Sequence, residues 1–101
     1  MVRIVVTALA DADVADILAD LNSEAGSVTA ERFNARFERL YERLADHPDS
    51  GPLRPILGSH IRIGVVFPYI VIYRHVEGAD TVSLIRVLHG RRRFTRKLLR
   101  G

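Results

Sequence analysis

Between Ile61 and Leu88 three strand-like runs follow one another almost without a break, and this limits the fold more than any other feature. Ile61–Phe67 alternates, with Ile61, Ile63, Val65 and Phe67 on one face. Pro68-Tyr69 is a turn, Ile70–Val76 a second run, and Glu77-Gly78-Ala79-Asp80 a hairpin loop. Thr81–Leu88 is the third run. Parallel neighbours need a crossover of about a dozen residues, so these three strands are expected to be antiparallel. Simple alternation places Val82, Leu84, Arg86 and Leu88 on one face of the last strand, and Ser83, Ile85, Val87 and His89 on the other.

The upstream half supplies what covers such a sheet. Val2–Thr7 is β-branched and reads as a strand. Thr7 or Asp11 offers a cap for a helix over Ala10–Glu24, where Val14, Ile17, Leu18 and Leu21 recur at helical spacing and Gly26 stops the run. Asp11, Asp13 and Asp16 fall in its first turns, where the helix dipole favours negative charge. Residues 30–46 carry the strongest helical pattern, with Phe33, Phe37, Leu40, Tyr41 and Leu44 on one stripe. Arg32, Arg36, Arg39 and Arg43 form a second stripe, with Glu31, Glu38 and Glu42 placed to pair with them. Pro48, Gly51, Pro52 and Pro55 punctuate a connector that excludes a central strand. The expected fold is α+β, in the order β-α-α-β-β-β: a helical hairpin on one face of a small twisted antiparallel sheet, with the first strand at its edge and a short basic tail or helix at the end. Residues 1–101 read as a single domain with no linker or repeat.

Composition narrows the function classes. A chain that is 48% hydrophobic and 27% charged is that of a folded globular protein. The absence of cysteine excludes disulfides and thiolate metal sites. No apolar run reaches the ~20 residues that span a bilayer, and a cytoplasmic protein is expected. Charge is split along the chain. Residues 1–53 hold five Arg against ten Asp and Glu, a net −5. Residues 54–101 hold nine Arg and one Lys against Glu77 and Asp80, a net +8. Such a half-chain favours an acidic protein or a polyanion as partner.

The candidate chemistry lies at the basic end. His89 follows a strand and precedes Gly90, a place for a general base or a binding contact. Arg86 stands among aliphatic residues and needs a partner or a groove, for instance a concave basic surface shared with Arg62 and Arg74. Arg91, Arg92, Arg93, Arg96, Lys97 and Arg100 form the tail cluster, with Phe94, Leu98 and Leu99 spaced to lie against the domain. His47, His60 and His75 are scattered without metal-ligand spacing, so neither a metal nor a cofactor is expected.

Pro68-Tyr69-Ile70-Val71-Ile72-Tyr73-Arg74, followed by Val82-Ser83-Leu84-Ile85-Arg86-Val87-Leu88-His89-Gly90-Arg91-Arg92, resembles the C-terminal signature of ParE-type toxins in the ParE/RelE group. Pro48–Arg54 resembles the family's turn after its second helix, and Ile61-Arg62 its lead-in to the sheet. The resemblance implies a toxin of a type II toxin–antitoxin module, silenced by a ParD-like antitoxin whose acidic, flexible C-terminal segment wraps the toxin. It implies DNA gyrase as target and a hetero-oligomer with the antitoxin. RelE-type relatives instead cut mRNA on the ribosome. Here that alternative would use Arg62, Arg86 and His89 without a C-terminal tyrosine, since none follows Tyr73. A third possibility is a module that only binds its antitoxin. Antitoxin or target contacts are expected at Arg62, Tyr73, Arg74, Arg86, His89, Arg91, Arg92, Arg93, Arg96 and Lys97. Removal of Arg91–Gly101 is expected to abolish toxicity and spare antitoxin binding.

Overall fold

The chain leaves its first strand and doubles back through two helices before the rest of the sheet forms. In this computed structural model, which describes residues 1–100, β1 (Arg3–Val6) leads into α1 (Ala8–Ala25) and α2 (Ser27–Asp46). Then come β2 (Ile61–Val66), β3 (Tyr69–Val76) and β4 (Thr81–His89). Thr7 caps α1, its hydroxyl accepting from the Ala10 amide at 3.2 Å and donating to the Ile85 carbonyl at 3.2 Å. Gly26 alone separates the helices; its φ of 91° lies where a side chain would be strained.

The sheet has the order β1-β4-β3-β2, with β2/β3 and β3/β4 antiparallel as expected. The expectation of a wholly antiparallel sheet is corrected at β1, which pairs parallel with β4, making the sheet mixed. The cause is the even number of helices. α1 carries the chain away from the start of β1 and α2 returns it there, where the Val2 amide donates to the Ala45 carbonyl at 2.9 Å. β2 therefore starts from the same end as β1, and two hairpins later β4 runs that way too.

Two apolar layers enclose the sheet. On one face α1 and α2 place Ala10, Phe37, Leu40 and Leu44 against Val71, Tyr73, Val82, Leu84 and Val87. On the other face Ile61, Ile63, Ile72 and Leu88 meet Leu57 and the tail residues Phe94, Leu98 and Leu99. Gly64 lets α2 lie close, since a Cβ there would meet Leu40 at 3.0 Å.

The faces of β4 differ from simple alternation. A register shift opposite Ile72/Tyr73 pairs Arg86 with Ile72 but Leu84 with Tyr73, so Ile85 is an extra residue, a β-bulge. Before it Val82 and Leu84 face the helices; after it Val87 does, while Ile85 and Leu88 face the tail. One inserted residue exchanges the faces of everything that follows.

Burial leaves a titration signature. The Tyr41 hydroxyl is pushed up to about 12 by burial first, then by the charges of Glu38 and Asp11. A folded value above the unfolded one means that this contribution to stability is complete below pH ~10 and is lost as pH rises through ~12. Burial also raises Tyr69 and Tyr73, so phenolate absorbance should show a late component near 12 of which Tyr41→Phe removes one tyrosine's share. A Tyr41→Phe curve identical to the wild type would refute the assignment.

Candidate functional site

The buried charge on β4 is satisfied from α1. Arg86 Nε and Nη2 donate to the two Asp13 carboxylate oxygens at 2.7 and 2.8 Å, and Nη1 donates to the Leu98 carbonyl at 2.6 Å. The same Asp13 accepts the Val87 amide at 2.9 Å, next to the bulge. The hydrogen bonds that Arg86 donates to Asp13 hold the guanidinium above its ordinary range, against the opposing effect of burial. Arg86 is 9% exposed. It clamps helix, strand and tail together, and it is corrected from a surface contact to an interior one. Tyr73 is corrected likewise: it is fully buried, and its hydroxyl accepts the Gly51 amide at 2.9 Å.

Arg62 and Arg74 do share a surface, but not with Arg86. Both line a cavity of about 330 Å³ at one end of the sheet, with Asp49, His60, His75 and Glu77. Arg62 donates to the carbonyls of Asp49 and Gly51 at 3.1 and 2.7 Å and lies 3.4 Å from the Asp49 carboxylate, so it pins the turn after α2. Side-chain ligand atoms of Asp49, His75 and Glu77 fall within 4.8 Å of one another, a grouping invisible in the sequence. His75 Nδ1 is 2.9 Å from the same Asp49 oxygen. Arg62 competes with any cation for the Asp49 carboxylate.

His89 lies at the opposite end. It is exposed, stacks edge-on against Tyr69 at 5.7 Å, and accepts the Arg91 amide on Nδ1 at 3.0 Å. Arg62 pairs with Tyr73, and His89 with Tyr69. The two are thus separated by roughly 13 Å along the strands and about 10 Å across them. The structure does not bring Arg62, Arg86 and His89 together.

Arg91, Arg92, Arg93, Arg96 and Lys97 are exposed, and a short 3-10 turn, Arg96–Arg100, anchors the segment. Arg96 Nε donates to the Ile56 carbonyl at 3.2 Å. The arginine stripe of α2 also differs from expectation. Among the described residues the ion pairs are Arg62–Asp49, His75–Asp49 and Arg86–Asp13, so Glu31, Glu38 and Glu42 do not neutralise Arg32, Arg36, Arg39 or Arg43. Arg36 instead lies over the Phe33 ring at 4.8 Å.

Asp13 was missed as a functional position, although the signal was present. Ala10, Asp13, Val14 and Ile17 stand at i, i+3, i+4 and i+7, so the carboxylate sits on the apolar face of α1.

These features define a class: a small basic α+β protein with a helical hairpin on one face of a four-stranded mixed sheet and a cationic tail strapped across the other. Residues 4–94 match the family described as the ParE toxin of the type II toxin–antitoxin system parDE, and the chain belongs to that family. Among solved structures it is similar to one from P. aeruginosa described as a chromosomal ParDE toxin–antitoxin system. The TM-score is 0.72 at 20% identity, over 88% of this chain and 96% of that one, a likeness of fold. No curated protein matches the chain. Among the described residues no helix is long and apolar enough to cross a membrane.

Proposed function

We propose that this ParE-family toxin acts on DNA gyrase by binding rather than by cutting RNA, and that a ParD-like antitoxin silences it in the cytoplasm as a hetero-oligomer. One observation carries the choice against the nuclease reading: the side chains a ribonuclease would need are already engaged. Arg86 is taken up by Asp13 and the Leu98 carbonyl, and Arg62 by Asp49 and two carbonyls. His89 Nδ1 accepts the Arg91 amide, and the ring lies roughly 13 Å along the strands and about 10 Å across them from Arg62. The exposed Arg91, Arg92 and Arg93 beside His89 supply a surface for an acidic protein face.

Purified protein should inhibit supercoiling by gyrase. Changing Arg91, Arg92 and Arg93 together to alanine should weaken that inhibition about tenfold or more with an unchanged melting temperature, as expected for exposed charges steering association. Cleavage of mRNA in translating ribosomes, with gyrase unaffected, would overturn the proposal in favour of the RelE-like reading.

A further inference from the structure

At the end of the sheet away from His89, the cavity of about 330 Å³ is lined by four side chains that carry metal-binding atoms: Asp49, His60, His75 and Glu77. They come from separate parts of the chain. Asp49 lies in the turn after α2, His60 directly before β2, His75 near the end of β3 and Glu77 in the turn that follows. Strand register assembles them. Ile61 pairs with Arg74, so His60, one residue before the first, and His75, one residue after the second, arrive at the same level of the sheet. The expectation that the histidines are too scattered to hold a metal came from their spacing in the chain, which this pairing overrides.

The distances suit a small cation. Ligand atoms of Asp49, His75 and Glu77 lie within 4.8 Å of one another. Around a tetrahedral zinc ion, with bonds of ~2.0–2.2 Å, two ligand atoms stand about 3.3 Å apart. His75 Nδ1 and Asp49 Oδ1 are already nearer than that, at 2.9 Å. Asp49 and Glu77 are exposed, so their carboxylates have room to close the remaining ~1.5 Å. Arg62 approaches only Asp49 Oδ1, at 3.4 Å. Among the described residues, Asp49 Oδ2 and the Glu77 carboxylate have no ion-pair partner. The bond between His75 and Asp49 accounts for two of the four groups and leaves His60 and Glu77 without a role. Mixed imidazole and carboxylate donors fit zinc and its neighbours, whereas calcium and magnesium take larger all-oxygen shells.

We propose that Asp49, His60, His75 and Glu77 bind a zinc ion. Four protein ligands leave no open coordination position, so the ion is structural. It ties the turn after α2 to the turn between β3 and β4, across the start of β2. Arg62 keeps its bonds to the Asp49 and Gly51 carbonyls and yields only its contact with the carboxylate. The inference is independent of the gyrase reading, since the site lies at the other end of the sheet from His89 and the arginines that follow it.

The probe is zinc chloride, titrated by calorimetry into the full chain after treatment with a chelator. A single ion should bind per chain, with micromolar affinity or better. His75→Ala and Glu77→Gln should each weaken binding about tenfold or more, because residues one step removed from a bound metal already matter by ~10–100-fold. His89→Ala removes an exposed imidazole outside the cavity and should leave zinc affinity unchanged. Cobalt(II) in place of zinc should show the intense visible bands of four-coordinate geometry, and His60→Ala should abolish them. Zinc should raise the melting temperature of the wild type more than that of Glu77→Gln, since an ion bound only by the folded chain shifts the unfolding equilibrium. Should His75→Ala fail to fold, Glu77→Gln decides the matter, because its side chain is exposed. Affinity weaker than about 1 mM, or equal affinity in Glu77→Gln, would overturn the proposal. So would magnesium competing on equal terms, a six-coordinate cobalt spectrum, or binding lost in His89→Ala. Gyrase inhibition bears on neither outcome: a chain inactive on gyrase that binds zinc through these residues retains the proposal, and an active one that does not bind loses it.

Discussion

Asp13→Ala is expected to destabilise the protein by about 3–5 kcal/mol, the range for stranding one member of a buried ion pair. The substitution removes both carboxylate bonds to Arg86 and the acceptor of the Val87 amide in one step. Arg86 is then left inside with only the Leu98 carbonyl. For a domain of this size the melting temperature should fall by roughly 12–40 °C, at ~4–8 °C per kcal/mol. Asp13→Leu combined with Arg86→Met removes the charge and its partner together, and should recover most of the loss. Urea denaturation and thermal melting of the two variants make the comparison; a single variant melting within ~5 °C of wild type would refute the clamp. Arg86 itself brings no pH dependence near neutrality. Its folded value is raised, so its contribution is complete below the ordinary guanidinium range and is lost only at still higher pH.

Deleting residues 91–101 is the second large effect. The basic run invites the view of a detachable working end, and the expectation above was that its loss would spare antitoxin binding. The described residues of the tail speak otherwise. Phe94, Leu98 and Leu99 cover Leu57, Ile72 and Leu88, and the Leu98 carbonyl holds Arg86. Three half-buried side chains at about 1.5–3 kcal/mol each when fully buried place the loss on the order of 3–5 kcal/mol. That is a large share of the ~5–15 kcal/mol that holds a domain together. Toxicity and antitoxin binding should therefore fail together, with an early melt by circular dichroism. The triple alanine variant of Arg91, Arg92 and Arg93 should keep the fold. A truncated protein that melts like the full chain would show that the tail only decorates the sheet.

Element type and order were legible from local rules. Thr7 and Gly26 bracket α1 as their side chains and backbone freedom require, and Gly26 also starts α2 three residues before its apolar stripe suggested. The short loops of the last three strands forced antiparallel pairing. The tail arginines were legible as exposed because six cations within ten residues cannot all be buried.

What the sequence determined by itself is the set of elements, their amphipathic faces and the split of charge along the chain, because spacing of two or 3.6 residues and turn chemistry are local properties. The tertiary structure alone decided which charges are free. Arg86 and Asp13 lie 73 positions apart, and only the docking of α1 across a bulged β4 joins them. Arg36, Arg39 and Arg43 have glutamates close by in sequence, yet they stay unpaired against the β2 edge. Desolvation and pairing depend on neighbours in space, and those are set by register and helix placement, which no short window of sequence contains.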